Sequence, residues 1–404
     1  MTESTKYQKC IFCGSDLNVG SEEHVFLSAL GGRITTRRAI CLSCNNAFAN
    51  DETGKVDDAL AECFKHVRNG LKIWSGRNGP PPTLPKAGKM DDGGEFDLAP
   101  GFVPVMRKGN IPDVRQLSLG NEVVLTARDE ADAERILNIL AKQGVSVNSR
   151  RATKVQAKVP TVHASIAVDS TRVWRAVAKM ATVAFVVLYG NEQAQRFIDP
   201  SVRAAIRHGN PSISNFTGWD FTNPWPEIAE LRPHDKTPGA RASGYEHSVI
   251  ISDVGTNSVA YITLFGGWRF SALLGPHTGL PTRGLAINPR SSKPARFIVI
   301  AKAPGRYVPK HVDSLTDEKD VVLSGFQAAF NNAMQKWSEE AHASYAEDLD
   351  MELRDRLDTV GDDEVKRDEA IRLFAEKIVR IEQGEAWITD LDTVLDEDEP
   401  HTGP

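Results

Sequence analysis

Hydrophobic and polar positions along this chain repeat with two different periods, which together predict a mixed α/β protein. Apolar residues recur at helical spacing over residues 55–74, and residues 171–189 are apolar on most sides, as in a central core helix. Asp129 is a candidate cap for a helix that continues to residue 142 and ends at Gly144. Alternating or short apolar runs predict strands at 122–127, 155–168, 247–252, 258–265, 268–274 and 297–302.

The segments between these elements suggest where domains begin and end. Residues 75–100 are rich in Gly, Pro and Lys, which predicts a linker or an extended turn region. Gly266-Gly267 predicts a two-residue hairpin turn between two of the strands. Beyond residue 315 the pattern is helical, and the last ten residues, 395–404, are predicted to be disordered.

We therefore predict an α+β multidomain protein with four segments. These are a small N-terminal module (1–74), a Gly/Pro-rich linker (75–100), a mixed α/β body (101–314) and an acidic helical segment (315–404). With 41% hydrophobic and 25% charged residues, the composition excludes a disordered or collagen-like chain. The longest apolar run is too short to span a bilayer, and we find no signal peptide, so we expect a soluble, cytoplasmic protein without a membrane partner.

Charge is distributed unevenly along the chain. Residues 315–404 carry 25 acidic and 9 basic side chains, whereas residues 1–314 carry a net charge of +10. The basic part suits a polyanion such as nucleic acid. The acidic segment has two interpretations: solvated helices that keep the protein soluble, or an autoinhibitory mimic of the phosphate backbone.

Four of the five cysteines form two Cys-x-x-Cys pairs, Cys10 with Cys13 and Cys41 with Cys44. In a protein without a secretory signal, paired knuckles of this kind predict a tetrahedral structural zinc site rather than disulfides. Cys63 lies on the apolar stripe of the predicted helix 55–74, so we interpret it as a buried packing thiol.

The segment between the two cysteine pairs is longer than in an ordinary knuckle, which indicates an insert. It is compatible with a two-stranded hairpin: residues 23–27 lead out, Gly31-Gly32 turn, and residues 39–40 return to Cys41. A helix that includes Asn45 would follow, and a zinc ion that binds both pairs would hold the strand and the helix together.

In this arrangement Glu23, His24 and Asn45 converge on one site. A carboxylate and an amide oxygen are hard ligands suited to Mg²⁺ or Mn²⁺, and a neutral imidazole can deprotonate water near pH 7. Together they predict metal-dependent hydrolysis of a phosphodiester. Arg33, Arg37 and Arg38 lie in the same insert and are candidates to contact the scissile phosphate, the alternative being a solvated loop.

The run Cys-x2-Cys, Glu-His, Gly-Gly and Cys-x2-Cys-Asn resembles the HNH, or ββα-metal, endonucleases, in particular the subgroup with four cysteines around the catalytic hairpin. The resemblance covers about residues 8–62. It implies that His24 is the general base, that Glu23 and Asn45 bind the catalytic Mg²⁺ or Mn²⁺, and that the four cysteines bind structural Zn²⁺. The middle Asn of the HNH name is missing, and Arg38 and Ala39 stand near its place.

The function predicted from the sequence is a DNA endonuclease, with RNA as the alternative substrate. One such module cuts one strand, so a monomer would nick and a homodimer could make a double-strand break. By family analogy we expect a role in restriction or antiphage defence, with the body selecting the target or sensing an activating ligand or partner. Two alternatives stay open: a zinc-knuckle module that binds nucleic acid without cutting it, and an interaction protein with purely structural zinc.

Overall fold

The computed structural model is a mixed α/β structure of helices and sheets. It divides into two compact units, one formed by residues 1–87, 97–105 and 163–335, the other by residues 88–96, 106–162 and 336–404. The residues that the structure describes are 8–17, 20–50, 55–89, 95–108, 127, 130–145, 170–233, 242–291, 296–307, 319–361 and 363–382.

The first unit begins with a hairpin and three short helices. The strands β1 (Gly20–His24) and β2 (Thr35–Cys41) pair antiparallel, and a single 3-10 turn, Ser28–Leu30, follows β1. The predicted hairpin is confirmed, although β1 begins and ends three residues earlier than expected. The helices that follow are α1 (Leu42–Asn50), α2 (Val56–Cys63) and α3 (Lys65–Gly70).

The single helix predicted over residues 55–74 is wrong, because Phe64 separates α2 from α3. The apolar stripe itself is confirmed, since all of its side chains are buried: Val56, Leu60, Cys63, Phe64, Val67 and Leu71. At this break the buried Phe64 ring lies in an aromatic cluster. Its neighbours within 6.4 Å between ring centroids are Trp219, Phe265, Trp268, Phe270 and Phe326.

The centre of the first unit is the long helix α5 (Ser170–Tyr189), which confirms the predicted core helix. Buried Ala and Val side chains follow one another along it, and Gly190 ends it with a positive φ of 91°. Two shorter helices follow, α6 (Asn191–Phe197) and α7 (Pro200–His208). The buried Arg175 of α5 donates hydrogen bonds to the last carbonyls of α7, those of Ile206 at 2.6 Å and Arg207 at 2.8 Å.

A seven-stranded antiparallel sheet forms the rest of this unit. In sheet order its strands are β6 (Thr217–Trp219), β10 (Trp268–Pro276), β9 (Asn257–Leu264), β8 (His247–Val254), β11 (Arg283–Ile287), β12 (Arg296–Lys302) and β7 (Glu227–Pro233). Four of them were predicted from alternation. Trp219 and Trp268 are buried in the core. The turn between β9 and β10 has three residues rather than two, because Phe265 also adopts a positive φ.

Residues 75–108 are not a simple linker, contrary to the prediction for 75–100. They contain a three-stranded sheet of β3 (Leu84–Lys89), β4 (Glu95–Ala99) and β5 (Val103–Lys108). The Gly/Pro composition hid a short alternating pattern in which Phe96 and Leu98 are buried. The buried Asn69 amide donates to the carbonyls of Pro82 and Leu98, which fixes this segment against α3.

The remaining described elements are helical. Helix α4 (Glu130–Lys142) confirms the predicted helix, and Gly144 follows it with a positive φ. Helix α8 (Lys319–Val360) and helix α9 (Glu364–Glu382) confirm the helical C-terminal pattern. Apart from Ala127, the strands predicted at 122–127 and 155–168 and the tail 395–404 lie outside the described residues. Within the described part of the chain, no helix is long and apolar enough to cross a membrane.

Candidate active site and metal centre

The four cysteines predicted to bind zinc come together in the structure. Their sulfur atoms all lie within 4.8 Å of one another, and the Sγ atoms of Cys13 and Cys41 are 3.6 Å apart. A tetrahedral zinc–thiolate site with Zn–S bonds of about 2.3 Å has sulfurs about 3.8 Å apart. Cys10 and Cys44 are buried, while Cys13 and Cys41 are partly exposed. The cluster therefore has the size and the ligand type of a structural zinc site.

The sulfur atoms of the cluster also shift one another's pKa values. A hydrogen bond from the Cys44 thiol lowers the pKa of Cys10 to about 4. The same contact, together with burial, raises the pKa of Cys44 far above that of a free thiol. Burial raises the pKa of Cys41 as well. Four thiolates this close repel one another unless a cation lies between them, which is the role that zinc has in such sites.

His24 lies at the end of β1, opposite Thr35 of β2. The turn that leads back to β2 requires glycine at two positions. Gly31 adopts a left-handed conformation, and a side chain at Gly32 would collide with the Phe26 carbonyl. Burial, followed by the charge of Arg77, lowers the pKa of His24 below its ordinary value. The imidazole is therefore neutral at pH 7 and able to accept a proton.

Glu23 precedes His24 and is buried, with 4% of its surface exposed. Its Oε1 is 2.9 Å from the ammonium Nζ of Lys179, which belongs to α5. The same ammonium lies 2.9 Å from both carboxylate oxygens of Asp57, the second residue of α2. Burial raises the pKa of Glu23 and the charge of Lys179 opposes that rise. Burial would lower the pKa of Lys179, but Asp57 and Glu23 raise it overall, so the lysine stays charged.

Asn45 lies in the first half of α1, directly after Cys44, and α1 packs against the hairpin. Its amide nitrogen Nδ2 donates a hydrogen bond of 2.8 Å to Ser21 Oγ in β1. This contact brings Asn45 to the strand that carries Glu23 and His24. Because the bond uses the nitrogen, the amide oxygen is not committed to it and is a suitable ligand for a hard cation.

The three arginines of the insert differ in their contacts and in their exposure. The Arg33 guanidinium donates to the backbone carbonyl of Ser291, so it is engaged within the fold. Arg37 is exposed and lies 3.8 Å from Glu22, also exposed. Arg38 is exposed too, while its backbone carbonyl accepts a 2.7 Å hydrogen bond from Asn191 of α6. Arg37 and Arg38 are thus exposed on the hairpin, whereas Arg33 is half-buried and its guanidinium binds a backbone carbonyl.

Three residues around this site were not predicted: Asp57, Lys179 and Arg77. Asp57 looks like an ordinary acidic residue in the first turn of a helix. Lys179 had a recognisable signal, because it is a charged residue directly before the long apolar run of this helix. Arg77 follows Gly76, whose amide donates a 2.7 Å hydrogen bond to the Ser28 carbonyl beside the hairpin turn.

Comparison with protein families gives one match to this part of the chain. Residues 10–63, about one eighth of the 404 residues, match a family model described as HNH endonuclease. The match includes the four cysteines, Glu23, His24 and Asn45. Comparison with curated proteins and comparison with solved structures each give no significant match.

Proposed function

We propose that this chain, which carries an HNH endonuclease domain in residues 10–63, is a metal-dependent nuclease that hydrolyses DNA phosphodiester bonds. The observation that carries the proposal is the position of His24. It lies on a hairpin anchored by the four-cysteine cluster, next to Glu23 and on the strand that Asn45 contacts. These are the side chains that general-base hydrolysis beside a divalent cation needs.

Glu23 and Asn45 would hold Mg²⁺ or Mn²⁺, and their donor types suit either ion. The Asn45 amide oxygen is not used in the bond to Ser21, and Lys179 contacts one oxygen of Glu23, Oε1. When bound, the cation polarises the phosphodiester and stabilises the leaving oxygen. The four cysteines would hold a separate structural Zn²⁺.

His24 would take a proton from the attacking water. Its neutral imidazole at pH 7 is the form that accepts a proton, and its attachment to a paired strand limits its motion. Arg37 and Arg38 are exposed on the same hairpin and are the candidates to contact the substrate phosphates. Arg33 is a weaker candidate because its guanidinium contacts Ser291.

The biological setting belongs to the same proposal. The net charge of +10 over residues 1–314 supports a polyanionic substrate, for which we favour DNA over RNA. A role in restriction or antiphage defence, action as a homodimer, a cytoplasmic location and a sensing role for residues 101–314 are proposed by analogy with the family. The boundaries of the four segments also stay a prediction.

The experiment that tests the proposal is cleavage of supercoiled plasmid by zinc-loaded wild-type protein and by the variant His24→Ala. Reactions are compared with Mg²⁺, with Mn²⁺, and after dialysis against buffer without divalent cations, because a strong chelator would also remove zinc. We expect nicked or linear DNA only with added cation, and a loss of at least about 100-fold in rate for His24→Ala. His208→Ala is the matched control, since His208 is exposed on α7.

Two other outcomes would redirect the interpretation. Salt-sensitive DNA binding without cleavage by either protein would favour a binding module. Neither binding nor cleavage would favour an interaction protein in which zinc is purely structural. Equal cleavage by His24→Ala and wild type would contradict the role given to His24.

A further inference from the structure

Lys179 is a buried cation at the candidate active site, although it lies far outside residues 10–63. Its side chain is 1% exposed, and it projects from the middle of α5. Its Nζ lies 2.9 Å from Glu23 Oε1 and 2.9 Å from both oxygens of Asp57. A fully buried lysine is rare in proteins and is found where carboxylates pair with it.

This one side chain joins three elements of the HNH domain. It contacts β1 through Glu23 and α2 through Asp57. It also lies over the ring of Phe48 in α1, with 5.4 Å from Nζ to the ring centroid. The cation therefore sits where the hairpin and the two following helices meet.

The contacts also limit what Lys179 can do. An ammonium group has three N–H donors, and three carboxylate oxygens lie at 2.9 Å, one from Glu23 and two from Asp57. With its side chain 1% exposed and these carboxylates around it, Lys179 is not placed to contact a substrate phosphate. An effect of Lys179 on the reaction therefore passes through the groups that it contacts, and of these Glu23 is the one proposed to bind the divalent cation.

We propose that Lys179 is a positioning residue of the nuclease site, which orients the Glu23 carboxylate for the divalent cation by binding its Oε1. The inference rests on the proposed function, in which Glu23 is a ligand of that cation. Because Lys179 belongs to α5, metal binding by the HNH domain depends on the core helix of the body.

The test is a titration of the full-length, zinc-loaded protein with Mn²⁺. The free Mn²⁺ is measured by electron paramagnetic resonance. Lys179→Met removes the ammonium and keeps the length of the side chain. We expect its dissociation constant for Mn²⁺ to rise at least tenfold. Lys302→Met is the matched control, because Lys302 is an exposed lysine that pairs with Glu227 at 3.8 Å, and we expect it to bind like wild type.

A second variant separates the orientation of the Glu23 carboxylate from the net charge of the site. It also guards against a failure of Lys179→Met to fold. Lys179→Met leaves two carboxylates without their cation, which can prevent folding. In the double variant Lys179→Met/Asp57→Asn the three positions keep one net negative charge, as in the wild type. If Lys179 orients Glu23, the double variant also binds Mn²⁺ at least tenfold more weakly, although the charge is unchanged.

Cleavage assays provide the second readout. We expect kcat of the Lys179 variants to fall at low Mn²⁺ and to recover in part at high Mn²⁺, with an unchanged KM for DNA. Wild-type Mn²⁺ affinity in the double variant would overturn the proposal, as would tighter binding by Lys179→Met, which would make the lysine a competitor of the cation. Absence of Mn²⁺ binding by the wild type would overturn it too. A wild type that binds Mn²⁺ and cuts no DNA would defeat the proposed function alone, since the affinities still decide the role of Lys179.

Discussion

At the scale of single residues, His247 shows how the sheet and the hairpin depend on each other. It is fully buried at the start of β8, where its Nδ1 accepts a 3.0 Å hydrogen bond from the Phe265 amide. The neutral ring therefore carries its proton on Nε2, which donates to the Leu30 carbonyl at 2.8 Å. Protonation of Nδ1 would break the bond to Phe265.

This residue gives a prediction for stability against pH. Burial lowers the pKa of His247 from 6.5 to about 4, so between these values the unfolded chain binds the proton and the folded chain does not. Stability is therefore lost as the pH falls from 6.5 toward 4. At pH 5 the loss is about 2 kcal/mol relative to pH 7.5. We expect urea denaturation to show that His247→Gln lacks this part of the pH dependence.

The control for that measurement is His208→Gln, which changes an exposed histidine on α7. It should follow the wild-type curve at both pH values. If His247→Gln and wild type lose the same stability between pH 7.5 and pH 5, the acid sensitivity has another origin and the prediction is wrong.

At the scale of elements, the sequence predicted the helices, strands and motifs that are determined by residues close together in the chain. Periodicity identified α5, α8 and most strands of the large sheet, and motif spacing identified the cysteine cluster and the hairpin. The break at Phe64 was not predicted, and the rings that surround Phe64 come from distant segments that a local pattern does not bring together. The same holds for the site: Glu23, His24 and Asn45 belong to a local motif, whereas Lys179 reaches it from α5. The short strands β3 and β4 were missed because glycine and proline conceal their alternation.

One close approach between elements can be tested directly. The amide of Gly76 donates to the Ser28 carbonyl, and a Cβ at Gly76 would lie 1.8 Å from the Gly32 carbonyl oxygen. We expect Gly76→Ala to force the segment away from the hairpin turn and to lower the free energy of unfolding by about 2 kcal/mol. Urea denaturation at pH 7.5 measures this effect. Gly305→Ala is the control, since a Cβ there meets no atom within 4 Å, and equal stability of the two variants would refute the prediction.

At the scale of the whole first unit, side chains of the body bind backbone carbonyls in and beside the cysteine cluster. Asn191 of α6 donates to the carbonyls of Lys9 and Arg38, and Gln195 donates to the carbonyl of Cys10. Helix α5 packs against α2 and both strands of the hairpin. The knuckle that would hold zinc is therefore part of a larger cooperative structure rather than an appended finger.

Because the knuckle packs into the body, we predict that loss of zinc destabilises elements outside the knuckle. Cys44→Ser should reduce bound zinc from one ion per chain to nearly none and lower the free energy of unfolding by at least about 3 kcal/mol. It should also speed hydrogen exchange in α6, because Asn191 and Gln195 lose their carbonyl partners. The matched control is Cys63→Ala, which removes a buried thiol outside the cluster and should keep zinc at a cost of about 1 kcal/mol. Unchanged exchange in α6 of a zinc-free Cys44→Ser protein would mean that the knuckle folds independently, and the dependence of the proposed nuclease site on the body would then rest on α5 alone.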